Sequence, residues 1–166
     1  ATVVAPAALT FDAMNWDQPQ TVTVTPAQDD DTVSESTRVT LTTPGLGDRI
    51  VTVRVTDDDT QAIMLDNPTL DLTEGGIGGR SVRLAFDPVN PVTVTIVSND
   101  TGAAQVNPAT LTFTSANYTN PQNVAVTAVE DRDLANETVN VTLTSPVAAN
   151  VALTVNITDD DTQTIQ

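Results

Sequence analysis

The chain of 166 residues contains no cysteine and no histidine. Disulfides, thiolate and imidazole metal sites, and Ser-His-Asp or Cys-His nucleophilic machinery are thereby excluded. Lysine is also absent, and the basic residues are six arginines at 38, 49, 54, 80, 83 and 132. No apolar run approaches the about 20 residues needed to span a bilayer, so direct membrane insertion is not expected. No D-x-D-x-D-G loop ending in Glu is present, which removes the EF-hand.

What the chain does carry is negative charge. A net charge of −16 and a pI near 4.1 oppose binding to nucleic acid or to an anionic surface, and make cations the natural counterpart. Asp outnumbers Glu 18 to 4, and eleven of the Asp residues fall in four tight groups: 29–31, 57–59, 131 with 133, and 159–161. A merely solvated acidic surface would scatter them more widely.

The hexapeptide TDDDTQ stands at 56–61 and again at 158–163, a shift of 102 residues. The same shift places PAALTFDAMNWDQPQTVTVT (6–25) on PATLTFTSANYTNPQNVAVT (108–127) without a gap. It also carries Asp29 onto Asp131, Asp31 onto Asp133, Glu35 onto Glu137 and Pro44 onto Pro146. Roughly half of the aligned positions are identical, the signature of a tandem repeat. The organisation implied is residues 62–166 as a complete second repeat and residues 1–61 as the C-terminal part of a first one. The first repeat is then incomplete: it lacks the counterpart of 62–106, and the chain reads as a slice of a longer array.

Period-two alternation runs through the second repeat. SVRLAF, PVTVTI, NVAVTAV, ETVNVTLT and VALTVNIT each set Val, Leu, Ile or Phe on one side and largely Thr, Asn or Ser on the other. Turn formers separate them, at DNP (66–68), DPVNP (87–91), SNDTG (98–102), TNPQ (119–122) and SPVAAN (145–150). Seven or so strands in about 100 residues, without a convincing helix, predict an all-β fold: tandem immunoglobulin-like Greek-key β-sandwiches. EGGIGGR (74–80) lacks the Lys and the helix of a phosphate loop and reads as a turn or bulge. Trp16 and Tyr118 share one repeat position and read as core or rim packing rather than as a sugar-stacking platform.

The series LTFTSANYTNPQNVAVTAVEDRDLANETVNVTLTS, ending in VNITDDDTQ and preceded by LDLTEGG, resembles the Calx-beta domain and the Calx-beta-like repeats of large bacterial surface and secreted proteins. The resemblance implies calcium at one end of the sandwich. It implies as ligands Glu74 after the first strand, Asp131, Asp133 and Glu137 of the acidic loop, and Asp159, Asp160 and Asp161 ending the last strand. The first-repeat counterparts are Asp29, Asp31, Glu35, Asp57, Asp58 and Asp59, with Asp30 in addition where the second repeat has Arg132. Two departures imply fewer ions than the best calcium-sensing members bind. The acidic residue expected three positions before the loop Glu is Thr32 or Leu134, and an aspartate ahead of LTF is replaced near Gln105 or Val106.

Calcium takes six to eight oxygen ligands in flexible arrangements, and a strand ending in three Asp offers carboxylates alternately to its two sides. Asp57 and Asp59 then face one ion while Asp58 faces another or caps a turn. The competing reading is that Asp-rich loops are turn formers and solubilising groups. The expectation is therefore a non-enzymatic, calcium-binding structural module of an extracellular or cell-surface protein, bacterial by resemblance. Its partners would be neighbouring repeats and a cell-surface protein or glycan. The alternatives are a carbohydrate- or protein-binding accessory module and a regulatory calcium sensor.

Overall fold

The computed structural model describes residues 2–165, and among them all regular structure is β. Among the described residues no helix is long and apolar enough to cross a membrane. The chain forms two compact units, one ending at Asp58 and one starting at Asp59.

The second unit contains nine strands: β5 (Ile63–Leu65), β6 (Thr69–Thr73), β7 (Ile77–Leu84), β8 (Val92–Ser98), β9 (Ala104–Asn107), β10 (Thr110–Phe113), β11 (Gln122–Ala128), β12 (Glu137–Thr144) and β13 (Val151–Thr158). β-Branched residues at alternate positions suit a pleated surface buried on one side, since successive side chains point to opposite faces. Burial follows that alternation: β8 reads buried, exposed, buried throughout, and Val139, Val141 and Leu143 of β12 all face inward. The strands make a five-stranded sheet, β10-β8-β12-β13-β6, and a four-stranded one, β5-β7-β11-β9.

The inner faces of these sheets supply one core of aliphatic side chains, with Phe113, Leu84, Ile96 and Leu153 among its largest members. This is the β-sandwich that the alternation predicts. One pairing departs from the otherwise antiparallel pattern: β6 lies parallel to β13, with Leu70 opposite Val155 and Thr73 opposite Thr158. A parallel edge needs strands distant in sequence, and it brings the end of β6 beside the end of the chain's last strand.

The glycine-rich EGGIGGR divides. Its first part turns, with Gly75 at a positive φ of 65° and the Gly76 amide donating to the Thr73 carbonyl at 2.9 Å. Its second part, from Ile77, is already β7. Gln61, the last letter of the first TDDDTQ, is buried. It donates through Nε2 to the Phe86 carbonyl at 2.9 Å and accepts from the Phe86 and Ala62 amides, pinning the entry to β5.

The first unit contains four strands: β1 (Thr2–Ala5), β2 (Thr23–Pro26), β3 (Glu35–Leu41) and β4 (Arg49–Val55). β1 pairs with β2 and β3 with β4, each as a separate two-stranded sheet. Their registers repeat those of the second unit at the shift of 102: Val3 faces Thr25 as Gln105 faces Thr127, and Glu35 faces Val55 as Glu137 faces Ile157. Trp16 is 70% exposed, whereas Tyr118 at the equivalent place packs partly against the core. In the second unit the end of β7 reaches that place, the Leu84 amide donating to the Tyr118 carbonyl at 3.0 Å.

Candidate metal centre

The parallel pairing of β6 with β13 continues one residue beyond the strands, where the Glu74 amide donates to the Thr158 carbonyl at 3.1 Å. The tight turn then has no room for side chains: a Cβ on Gly76 would stand 2.6 Å from the Thr73 carbonyl oxygen, and one on Gly75 2.9 Å from Oε2 of Glu130. Glu74 is thereby buried, at 5% exposure. The Asp run begins directly beside it, at Asp159.

The third contributor is the loop from the end of β11 to the start of β12. Its short polar side chains fold it back on itself: the Asp133 amide donates to Asp131 Oδ1 at 2.8 Å, and the Ala135 amide to Asp133 Oδ1 at 2.6 Å. Asn136 ties the loop to the strand end by accepting from the Asp159 amide at 2.8 Å. The Asp161 amide closes the run on Asp159 Oδ1 at 2.9 Å.

Three carboxylate groups result in this unit, each with one oxygen per residue lying within 4.8 Å of the others: Glu74 with Asp131 and Asp159, Glu74 with Glu130 and Asp160, and Asp131 with Asp133 and Glu137. Both carboxylate oxygens of Glu74 and Oδ2 of Asp159 are buried without a hydrogen-bond partner. Burying a charge without compensation is among the costliest arrangements in a folded chain. Burial foremost, then the Asp131 carboxylate, pushes the Glu74 carboxyl above its ordinary value, opposed in part by the Asp131 backbone. Glu137 is raised by burial and then by Asp131, Asp133 and Asp159. A cation could supply what these groups lack, and an all-oxygen donor set suits a hard divalent ion.

The first unit assembles the equivalent loop trio, with Asp29, Asp31 and Glu35 within 4.8 Å. Asp29, Asp31 and burial hold the Glu35 carboxyl above its ordinary value, Asp29 having the largest effect. The loop is tied as in the second unit, Ser34 Oγ accepting from the Asp57 amide at 3.1 Å. Here Gln28 donates to Asp58 Oδ1 at 3.0 Å. At the shift of 102, Gln28 corresponds to Glu130 and Asp58 to Asp160, so the second unit faces carboxylate with carboxylate where the first has an amide donor.

Among the described residues, the three-acid groups leave out Asp30, Asp57, Asp58, Asp59 and Asp161. Conversely, Glu130 belongs to a group and escaped the reading of the sequence. The signal was the charge change from Gln28 to Glu130 between two otherwise similar loops.

Fold and site together define a β-sandwich protein with carboxylate clusters that could hold a metal ion at one sheet end. No protein-family model matches the chain, and no curated protein does. Among solved structures, domains 4–9 of the surface layer protein SbsC superpose with a TM-score of 0.52 at 18% identity, covering 84% of this chain and 20% of that one. SbsC domains 4 and 5 give 0.46 at 17% identity, covering 66% of this chain and 59% of that one. A Bacteroides ovatus GH5 xyloglucanase gives 0.45 at 11% identity, covering 64% and 20%. The chain therefore spans less than two thirds of the length of each of these three. The likeness to SbsC domains 4–9 shows a shared fold.

Proposed function

We propose that the chain is a structural calcium-binding repeat module of the Calx-beta-like kind, from a long extracellular bacterial adhesin or surface filament, and not an enzyme. The observation that carries this reading is Glu74: a buried carboxylate with both oxygens unpartnered, set between Asp131 and Asp159. Glu74, Asp131 and Asp159 would hold one ion, with Asp133 and Glu137 completing its loop side. Glu130 and Asp160 would extend the site around the other face of Glu74. The ion supplies positive charge and oxygen coordination, and nothing chemical is transformed.

The ligands come from three stretches of sequence, at 74, 130–137 and 159–160, so the unfolded chain offers no equivalent site. Binding then stabilises only the folded state, by an amount that grows with the logarithm of the excess of ion over Kd. An ion at the end of β13 also stiffens TDDDTQ where one repeat passes into the next, which suits a chain whose partners are neighbouring repeats. The fold shared with surface layer domains supports the extracellular setting.

Calcium titration calorimetry on the full chain tests this, alongside Asp159→Asn and Glu74→Gln. Saturable binding that both variants weaken is expected, with a rise in Tm. An unchanged melting curve and scattering profile in millimolar calcium and in chelator would remove the proposal.

A further inference from the structure

The two units provide an internal comparison of covered and uncovered sheet. In the second unit β12 has two neighbours: β13, and on its other edge antiparallel β8, with Leu143 opposite Ile96. β13 has β12 and, on its other edge, parallel β6. β11 lies between β9 and β7. The counterparts of β12, β13 and β11 in the first unit are β3, β4 and β2, and each has a single neighbour among the described residues. Three strand edges that the second unit fills are thus unfilled in the first.

The side chains agree with the edges. Leu143 is 2% exposed and Leu41 is 41%. Phe113 is fully buried and Phe11 half exposed, and Leu153 is buried where Val51 is exposed. A cavity of about 220 Å³, lined by Thr2, Pro26, Ala27, Glu35, Thr37 and Val55, opens where the second unit has packed core. Exposed apolar residues on unpaired strands are a binding surface for another strand.

We propose that this face is the docking surface for the N-terminal half of a repeat of the same kind: a segment with the strand order and alternation of 63–98. It adds one strand antiparallel to β3, one parallel to β4 and one antiparallel to β2, as β8, β6 and β7 do in the second unit. The required inward face is the one those strands present, Val92, Val94 and Ile96 on β8 and Val82 and Leu84 on β7, all buried. A short link serves to fuse such a segment ahead of β1, because 99–103 suffices between β8 and β9. A second copy of this chain is a poor occupant: its own β5–β8 are already paired within its second unit and come free only if that sandwich opens.

Trp16, the single tryptophan, reports on the docking because its counterpart Tyr118 is reached by the end of β7. The test fuses a copy of 62–102 ahead of residue 1 of the full chain, in the register of the repeat. The expected result is a blue shift of Trp16 emission, protection from acrylamide, and amide exchange in β3 and β4 slowed by about a hundredfold or more. A fused control with Val92, Val94 and Ile96 of the added copy replaced by Asp should show none of these. Adding the 62–102 peptide to the intact chain gives a second reading that does not depend on folding of the fusion, with the same blue shift expected at high peptide concentration. Unchanged Trp16 emission and edge exchange in both formats would overturn the proposal. So would concentration-dependent protection of β3 and β4 in the unfused chain, which would make a second copy the occupant.

Discussion

Replacing Glu130 by Gln should stabilise the second unit without calcium and destabilise it with calcium. The variant recreates the first unit's arrangement, in which Gln28 donates to Asp58 at 3.0 Å. In chelator it removes the repulsion between Glu130 and Asp160, whose oxygens lie within 4.8 Å. Two unit charges at that distance repel by about 0.9 kcal/mol in bulk water, and salt reduces this at an exposed site. The new amide-to-carboxylate hydrogen bond adds about 0.5 kcal/mol on the surface. A net gain of about 1 kcal/mol raises Tm by roughly 4 °C for a domain of this size.

In calcium the same change deletes a ligand, and a loss of about a hundredfold in affinity follows from the lower ligand charge. At calcium 100-fold above the original Kd, the parent gains about 2.7 kcal/mol and the variant about 0.4 kcal/mol. After the gain in the ion-free state, the variant lies about 1.3 kcal/mol below the parent, or roughly 5 °C. Scanning calorimetry in chelator and in calcium gives both values, with amide exchange in β12 and β13 assigning the transition to the second unit. Shifts of the same sign in both conditions would refute the reasoning, because repulsion between Glu130 and Asp160 would then not be what calcium relieves.

Three further outcomes are expected. In chelator the second unit should gain stability as pH falls through the raised values of Glu74 and Glu137 toward 4.5. Glu74 and Glu137 have folded-state values above the ordinary 4.5, so the folded state holds their protons more tightly. The penalty is full above the raised values, is relieved as pH falls through them, and is gone below 4.5. In calcium protons compete with the ion and the slope reverses, so urea midpoints that fall steadily in chelator as pH is lowered toward 4.5 would contradict the account. Leu143→Ala should cost about 2–5 kcal/mol, and Leu41→Ala at the equivalent place under about 1 kcal/mol, because only the first leaves a cavity in packed core; equal losses by denaturant unfolding would mean the first unit is covered as it stands. Gly78→Ala should lose about 1–3 kcal/mol through overpacking, since its Cβ would stand 2.9 Å from Leu70 Cδ1 and Leu72 Cδ2, while Gly47→Ala, with nothing within 4 Å, should be near neutral.

The sandwich was legible because the alternation in stretches such as PVTVTI and ETVNVTLT is strict, and a one-residue slip would turn every Val outward. The parallel contact of β6 with β13 was not, because alternation fixes which face a strand buries and says nothing of its neighbour. That contact sets the site, since it carries Glu74 beside Asp159. Trp16 shows the same limit from the other side. Its sequence surroundings match those of Tyr118, yet whether the ring packs depends on β7, a strand supplied from elsewhere in the repeat.

The carboxylates separate into a part written locally and a part written by topology. The trios Asp29, Asp31, Glu35 and Asp131, Asp133, Glu137 are local: a loop closed by Asx-type hydrogen bonds brings residues two and four apart within 4.8 Å in both units. Such a trio by itself is compatible with a turn in solvent. What the second unit adds is Glu74, one residue past β6, set beside Asp159, one residue past β13, with three of their carboxylate oxygens buried without a hydrogen-bond partner. The change from Gln28 to Glu130 runs the same way, replacing a satisfied amide with a further negative charge. The buried carboxylate oxygens without hydrogen-bond partners lie where β6 meets β13, and among the described residues β4, the counterpart of β13, has only β3 beside it.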